Sequence, residues 1–99
     1  MSLSNLIRVG SKGRTQYRGA FFPIHDENAC CPLGAAWLAL GHSREDFSVE
    51  QMYRQLPELR GPAEVGEGLT SLASAVYIMN DTHGLTFEQI ADELERQGY

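Results

Sequence analysis

The chain has 99 residues and a formal net charge of −5, with 42% hydrophobic and 21% charged residues. That length makes one domain and excludes a second, and it buries roughly two-thirds of the unfolded chain's surface without needing a disulfide or metal staple. The apolar content excludes a disordered chain. The longest nearly uninterrupted apolar run, Pro32 to Gly41, is half the length of a membrane span, and no basic stretch followed by an apolar core opens the chain. These features predict a cytoplasmic protein with no membrane segment. Cys30 and Cys31 are adjacent, and vicinal cysteines pair only through a strained ring, so both are expected as free thiols.

Taken in chain order, Ser4 to Gly10 has a candidate N-cap serine and an apolar pair, which predicts a short helix stopped near Gly10 or Gly13. A hairpin from Leu6–Val9 to Thr15–Phe22 is the alternative. Met1, Ser2 and Leu3 are given no structural weight. Phe21 and Phe22 are adjacent and cannot share one face of a strand, so at least one must be covered by a neighbouring element. His25-Asp26-Glu27-Asn28 has the composition of a polar turn.

Pro32 to Leu40 is predicted as the central helix. Proline suits the first helical position, Gly41 lies just past the end, and the segment is apolar nearly all round, with Gly34, Ala35 and Ala36 allowing close approach. Ser48 and Thr86 each open a window with glutamine three residues later, the signature of a capping box. Val49, Met52, Tyr53 and Leu56 in one window, and Phe87, Ile90, Ala91 and Leu94 in the other, recur at helical spacing. Pro57 should end the first of these helices near Leu56. Gly61 to Gly68 is expected as a mobile loop. From Leu69 to Asp81 the apolar residues Leu69, Leu72, Ala73, Val76 and Met79 predict another helix, ended by Gly84, and the last helix should run to Gln97.

Chemistry-bearing residues are few. Cys31 at a helix N-cap sits among free amides and the positive end of the helix dipole, which would lower a thiol's pKa. With His25 or His83, and with the polar cluster Asn80-Asp81-Thr82-His83-Gly84, it forms a candidate small-ligand or thiol site: Cys31, His25, Asn80, Asp81 and His83. The plainer roles are a buried cysteine closing a helix end and a polar turn between helices. Adjacent cysteines lack the gap that lets two thiolates face one ion, so no metal and no cofactor is expected. No phosphate-cradling loop, dinucleotide fingerprint or metallohydrolase helix is present, which leaves catalysis without positive support.

Charge is uneven. Arg8, Lys12, Arg14 and Arg18 precede the first acid, Asp26, while the rest of the chain carries thirteen acids against four arginines. The favoured interpretation is a basic segment docked on an acidic body; weak nucleic-acid binding through those four cations is the alternative. Thr86 to Leu94 has the capped pattern of the first helix of a helix-turn-helix pair. No recognition helix follows, and Asp92, Glu93 and Glu95 would face phosphates.

The motifs Gly19-Ala20-Phe21-Phe22, Cys31-Pro32-Leu33-Gly34-Ala35-Ala36, and Asn80-Asp81 followed by Gly84 and Thr86 to Ala91 resemble a pattern in small proteins of bacteria and their phages. That pattern is a G-A-F/Y-F segment, a C-x-L-G-A helix and an N-D-x-x-G-x-S/T-x-x-x-I-A ending. Here Pro32 replaces a small or aliphatic residue and Cys30 is an addition. The resemblance implies an α-helical fold and a helix over residues 4 to 12, and carries no particular activity. The expected architecture is therefore mainly α: a single domain of four or five short helices around a buried central helix, with an irregular or short-stranded segment between residues 14 and 30. The expected role is a non-enzymatic protein-interaction domain whose partner is another protein or itself. Acidity and the aromatics Tyr17, Phe22, Tyr53 and Tyr99 motivate it.

Overall fold

In the computed structural model, which describes residues 1–66 and 68–99, the chain is mainly α-helical. Helix α1 spans Leu3–Ser11, α2 Pro32–Ala39, α3 Val49–Gln55, α4 Leu72–Tyr77 and α5 Phe87–Arg96. Short 3-10 turns occupy Arg44–Asp46 and Pro57–Arg60, and a π-helical turn, Ile78–Thr82, extends α4. Two small sheets complete the fold. Strand β1 (Thr15–Gln16) runs parallel to β2 (Ala29–Cys30), with Thr15 opposite Ala29 and Gln16 opposite Cys30. Strands β3 (Pro62–Val65) and β4 (Gly68–Ser71) form an antiparallel hairpin.

The centre is α2, as its composition requires. Residues 32–37 are all buried, and the helix begins with Pro32 behind Cys31, whose sulfur accepts the Gly34 amide at 3.4 Å. Its end is set by Gly41 at φ +95°, a conformation other residues rarely adopt. Helix α1 lies against α2 closely enough that Gly10 touches the Ala35 backbone. Gly10 is thus an interior contact residue of α1, and the helix runs on to Ser11. A stop signal and a close-approach signal are the same residue in sequence, and only the neighbour distinguishes them.

The N-cap of α1 is Ser2, which accepts the Asn5 amide at 3.2 Å; Ser4 is buried inside the helix. Leu3 is 1% exposed and belongs to the core, so two of the three residues given no weight in sequence, Ser2 and Leu3, cap the helix and help fill the core, while Met1 is exposed. The helix, not the hairpin alternative, is what forms over residues 4 to 10.

Both predicted caps are present. Ser48 accepts the Gln51 amide, although the reciprocal bond from Gln51 is not made. Thr86 and Gln89 exchange both bonds of a capping box, at 3.1 and 2.9 Å. Helix α3 ends before Pro57 as expected.

The segment from Gly61 to Gly68 corrects the loop expectation, apart from Glu67, which lies outside the described residues. Pro62–Val65 and Gly68–Ser71 pair as strands around Gly66, whose φ of +60° suits the first position of a tight hairpin turn. Leu69, assigned in sequence to a helical stripe, is on β4 and 75% exposed. Helix α4 starts three residues later because Ser71 accepts the Ser74 amide and caps it there.

Candidate functional site

The π turn is what gathers polar chemistry. One extra residue in a helical turn swings successive side chains to different sides, and such turns recur at functional sites. Here Asn80 points inward, 2% exposed, while Asp81 points out. The Asn80 carboxamide accepts a hydrogen bond from Gln16 Nε2 at 2.6 Å and donates to the Tyr17 carbonyl at 3.0 Å and to Asp81 Oδ1 at 2.8 Å. Asp81 Oδ1 also accepts the Gly19 amide at 3.1 Å. Arg18 donates to the carbonyls of Asn80, Gly84 and Leu85, and Gln16 bridges the Leu85 carbonyl and the Phe87 amide. Residues 16–19 are therefore stitched along residues 80–87.

That stitching lays Gly19, Ala20 and Phe21 over the start of α2 and leaves a cleft of about 90 Å³, completed by Cys31, Tyr77 and Asp81. Three of the five candidate site residues, Cys31, Asn80 and Asp81, come together here, with Asn80 behind the wall. The two histidines do not line the cleft. His25 is exposed and meets Tyr17 edge-on at 6.2 Å, and His83 is exposed on a different groove.

The thiol chemistry runs against activation. Burial pushes the Cys31 thiol up to about 12, outweighing the Gly34 and Leu33 amides that favour the thiolate, and Asp81 pushes in the same direction as burial. Burial raises Cys30 to about 11. Both sulfurs hold their protons at neutral pH. The free amides expected at the helix start do favour the thiolate of Cys31, but by less than burial disfavours it. Among the described residues, no three His, Cys, Asp or Glu side chains are grouped to hold a metal ion.

The basic first segment is folded onto the domain. Arg8 meets Glu88, Asp92 and Glu95 of α5 at 3.1, 2.7 and 2.8 Å. Arg14 donates to the Gly10 carbonyl and Arg18 to the π turn, while Lys12 is exposed. Three of the four cations proposed for phosphate binding are thus engaged within the chain.

Two open grooves were not foreseen. One, of about 420 Å³, is lined by Ala20, Phe21, Phe22, Ile24, Arg44 and Phe47. Ile24 is 99% exposed beside it. The loop carrying Ile24 is clamped: Arg44 donates to the carbonyls of Asp26, at 2.9 Å, and Pro23, and lies over the Phe22 ring at 5.3 Å. An isoleucine between a proline and a polar turn was the available signal. The aromatics that motivate an interaction role in sequence, Tyr17, Phe22, Tyr53 and Tyr99, are half-buried: Tyr53 sits under Arg60, and the Tyr99 hydroxyl donates to the Pro62 carbonyl. The second groove, about 440 Å³, lies between the hairpin, the π turn and α5.

No known protein family, curated protein or solved structure matches this chain. Among the described residues, no helix is long and apolar enough to cross a membrane.

Proposed function

We propose that this chain is a non-enzymatic protein-interaction domain of bacterial or phage origin, acting in the cytoplasm. The observation that carries the proposal is Ile24, a fully exposed isoleucine held on a loop that Arg44 clamps at two carbonyls. Burying such a side chain in a partner is worth about 1.5–3 kcal/mol, roughly ten- to a hundredfold in affinity. A fixed loop forfeits little entropy on docking. Phe22 and Phe47, 5.4 Å apart, supply an aromatic wall beside it. Origin rests on the resemblance of the G-A-F-F, C-x-L-G-A and N-D motifs, and the cytoplasmic assignment on two unpaired thiols.

Protonated thiols and the distance of both histidines from the cleft favour binding over thiol catalysis. A small-ligand role for the Cys31 cleft is the second reading, limited to a ligand of a few heavy atoms by its 90 Å³. Nucleic acid is disfavoured, because Arg8 is matched by three carboxylates.

The test is a photo-crosslinking amino acid at position 24, compared with one at exposed Glu50. Discrete protein adducts at 24 and none at 50, lost when Phe22→Ser accompanies the probe, are expected. Adducts equal at both positions, or none at 24 together with a monomeric mass in solution, would overturn the proposal.

A further inference from the structure

The cleft over the start of α2 is lined by one carboxylate whose charge nothing cancels. Asp81 is held through its Oδ1, which accepts the Gly19 amide at 3.1 Å and the Asn80 side-chain amide at 2.8 Å, both neutral donors. Among the described residues Asp81 forms no ion pair. Arg18, which braces the same turn, directs its donors to the carbonyls of Asn80, Gly84 and Leu85.

Two aromatic rings stand beside that charge. Phe21 and Tyr77, which both line the cleft, meet at 76° with centroids 5.7 Å apart, and Phe47 packs on Phe21 at 4.6 Å. The corner is therefore built before a ligand arrives. Everything else in the lining is neutral. Burial raises the Cys31 thiol and the Tyr77 hydroxyl each to about 12, and Asp81 adds to both, so its field reaches across the cleft while neither group ionises at neutral pH.

We infer that this cleft binds a compact ammonium group, with Asp81 facing its charge and Phe21 and Tyr77 facing its alkyl substituents. The assignment rests on the small-ligand reading of the Cys31 cleft and names its ligand class. Aromatic rings attract organic cations, and a carboxylate beside them adds a counter-charge that repels anions. A single carboxylate with a protonated thiol lacks the several oxygens or the thiolates that a metal ion requires. The volume of about 90 Å³ is roughly three times a water's share of the liquid, which fits an ammonium head bearing one to three methyl groups. Such a head belongs to a free alkylamine or to a lysine side chain. The cleft and the Ile24 groove share Ala20 and Phe21, so a partner seated on Ile24 has the cleft beside it.

The experiment is an NMR titration of the isotope-labelled whole chain, following the Gly19, Phe21 and Asp81 amides, with methylammonium, acetamide and acetate in turn at constant ionic strength. Saturable shifts with methylammonium, at roughly millimolar to tens of millimolar concentration, are expected. Asp81→Asn keeps the oxygen that accepts Gly19 and Asn80 and should weaken binding about fivefold, and Phe21→Leu about threefold. Glu50→Gln removes the same charge from α3 and should leave binding within about 1.5-fold. Thermal melts establish that each variant is folded. A neutral peptide with one lysine that binds at least about tenfold tighter than methylammonium would identify a partner's side chain as the source, and equal or weaker binding a free amine. Acetamide or acetate binding as tightly as methylammonium would leave a small-ligand cleft and overturn the ammonium assignment. No saturable shift with any probe would overturn both. Unchanged affinity in Asp81→Asn, or equal weakening by Glu50→Gln, would mean attraction to an acidic chain as a whole and would also overturn the assignment.

Discussion

Replacing Gly10 by alanine sets two well-measured effects against each other. Helix propensity alone favours the change, since alanine is better than glycine in a helix interior by about 1 kcal/mol. Packing opposes it. A Cβ on Gly10 would lie 1.7 Å from the Ala35 carbonyl oxygen and 2.5 Å from its carbon. Real Cβ contacts essentially never fall below 3.0 Å, and the obstacle is backbone of the buried helix α2, so α1 must retreat by more than about 1.3 Å. That retreat disturbs the packing of Leu3, Leu6 and Ile7, the buried residues of α1, and dispersion contacts decline steeply over such a gap. Overpacking of this kind costs about 1–3 kcal/mol, and here an entire helix has to shift rather than one side chain, so about 3–5 kcal/mol gross and 2–4 net is expected. For a domain of this size the melting temperature should fall by roughly 10–25 °C. Circular dichroism melts of the wild type and Gly10→Ala measure it, with Gly13→Ala as a comparison: Gly13 has φ +71° but open space around it, so only the smaller conformational penalty applies. An unchanged or raised melting temperature for Gly10→Ala would refute the close-contact reasoning.

Three further predictions concern the cleft and its wall. Native Cys30 and Cys31 should resist a thiol reagent across pH 5 to 9 and react only on unfolding; rapid native labelling with a midpoint below the ordinary value of about 8.5 would contradict the burial described above. Because both thiols are raised on folding, to about 11 and 12, the unfolded chain releases protons first as pH rises. Their contribution to stability is complete below about 9 and is lost between there and the folded values, so the urea midpoint should fall progressively as pH rises above about 9. Asn80→Asp replaces two hydrogen-bond donations with a buried carboxylate facing Asp81 Oδ1 and the Tyr17 carbonyl. It should cost about 3 kcal/mol or more at pH 7 and recover in part as that carboxyl becomes protonated in acid. A variant melting within a couple of degrees of wild type at neutral pH would show that the amide is not a required brace.

Legibility followed the range of the interactions. Pro32 with Gly41, Ser48 with Gln51, and Thr86 with Gln89 are signals contained within a few residues, and those helices stand where the sequence puts them. Leu69 was misassigned because L-x-x-L-A-x-x-V continues helical spacing across a boundary that Ser71 enforces by capping. The hairpin had its own cue, Gly66 and Gly68 flanking one residue between short β-compatible runs, outweighed by the glycine and glutamate content. Of the candidate site, Cys31, Asn80 and Asp81 were brought together by bonds between residues 16–19 and 80–87, sixty or more positions apart, which no local pattern encodes. His25 and His83 were included on residue type alone, and nothing local could have removed them.

One residue of the basic first segment, Arg18, is linked to the inertness of Cys31. A π turn followed by Gly84 leaves the carbonyls of Asn80, Gly84 and Leu85 without helical partners, and an arginine is the side chain that can serve all three. Arg18 does so, and Gln16 completes the brace through Asn80 and the Phe87 amide. Arg8 ties the same early segment to α5 through three carboxylates. Arg18, with Gln16, thus holds the 16–21 strap against the body, and that strap lies over Cys31, which is 5% exposed. Cys31 retains two features of an activated thiol, an N-cap position and two amides directed at its sulfur, but is buried and has Asp81 rather than a cation beside it. Burial, to which the strap pinned by Arg18 contributes, is the largest cause of its raised pKa, which places the inertness of this thiol in tertiary contacts rather than in the helix on which it sits.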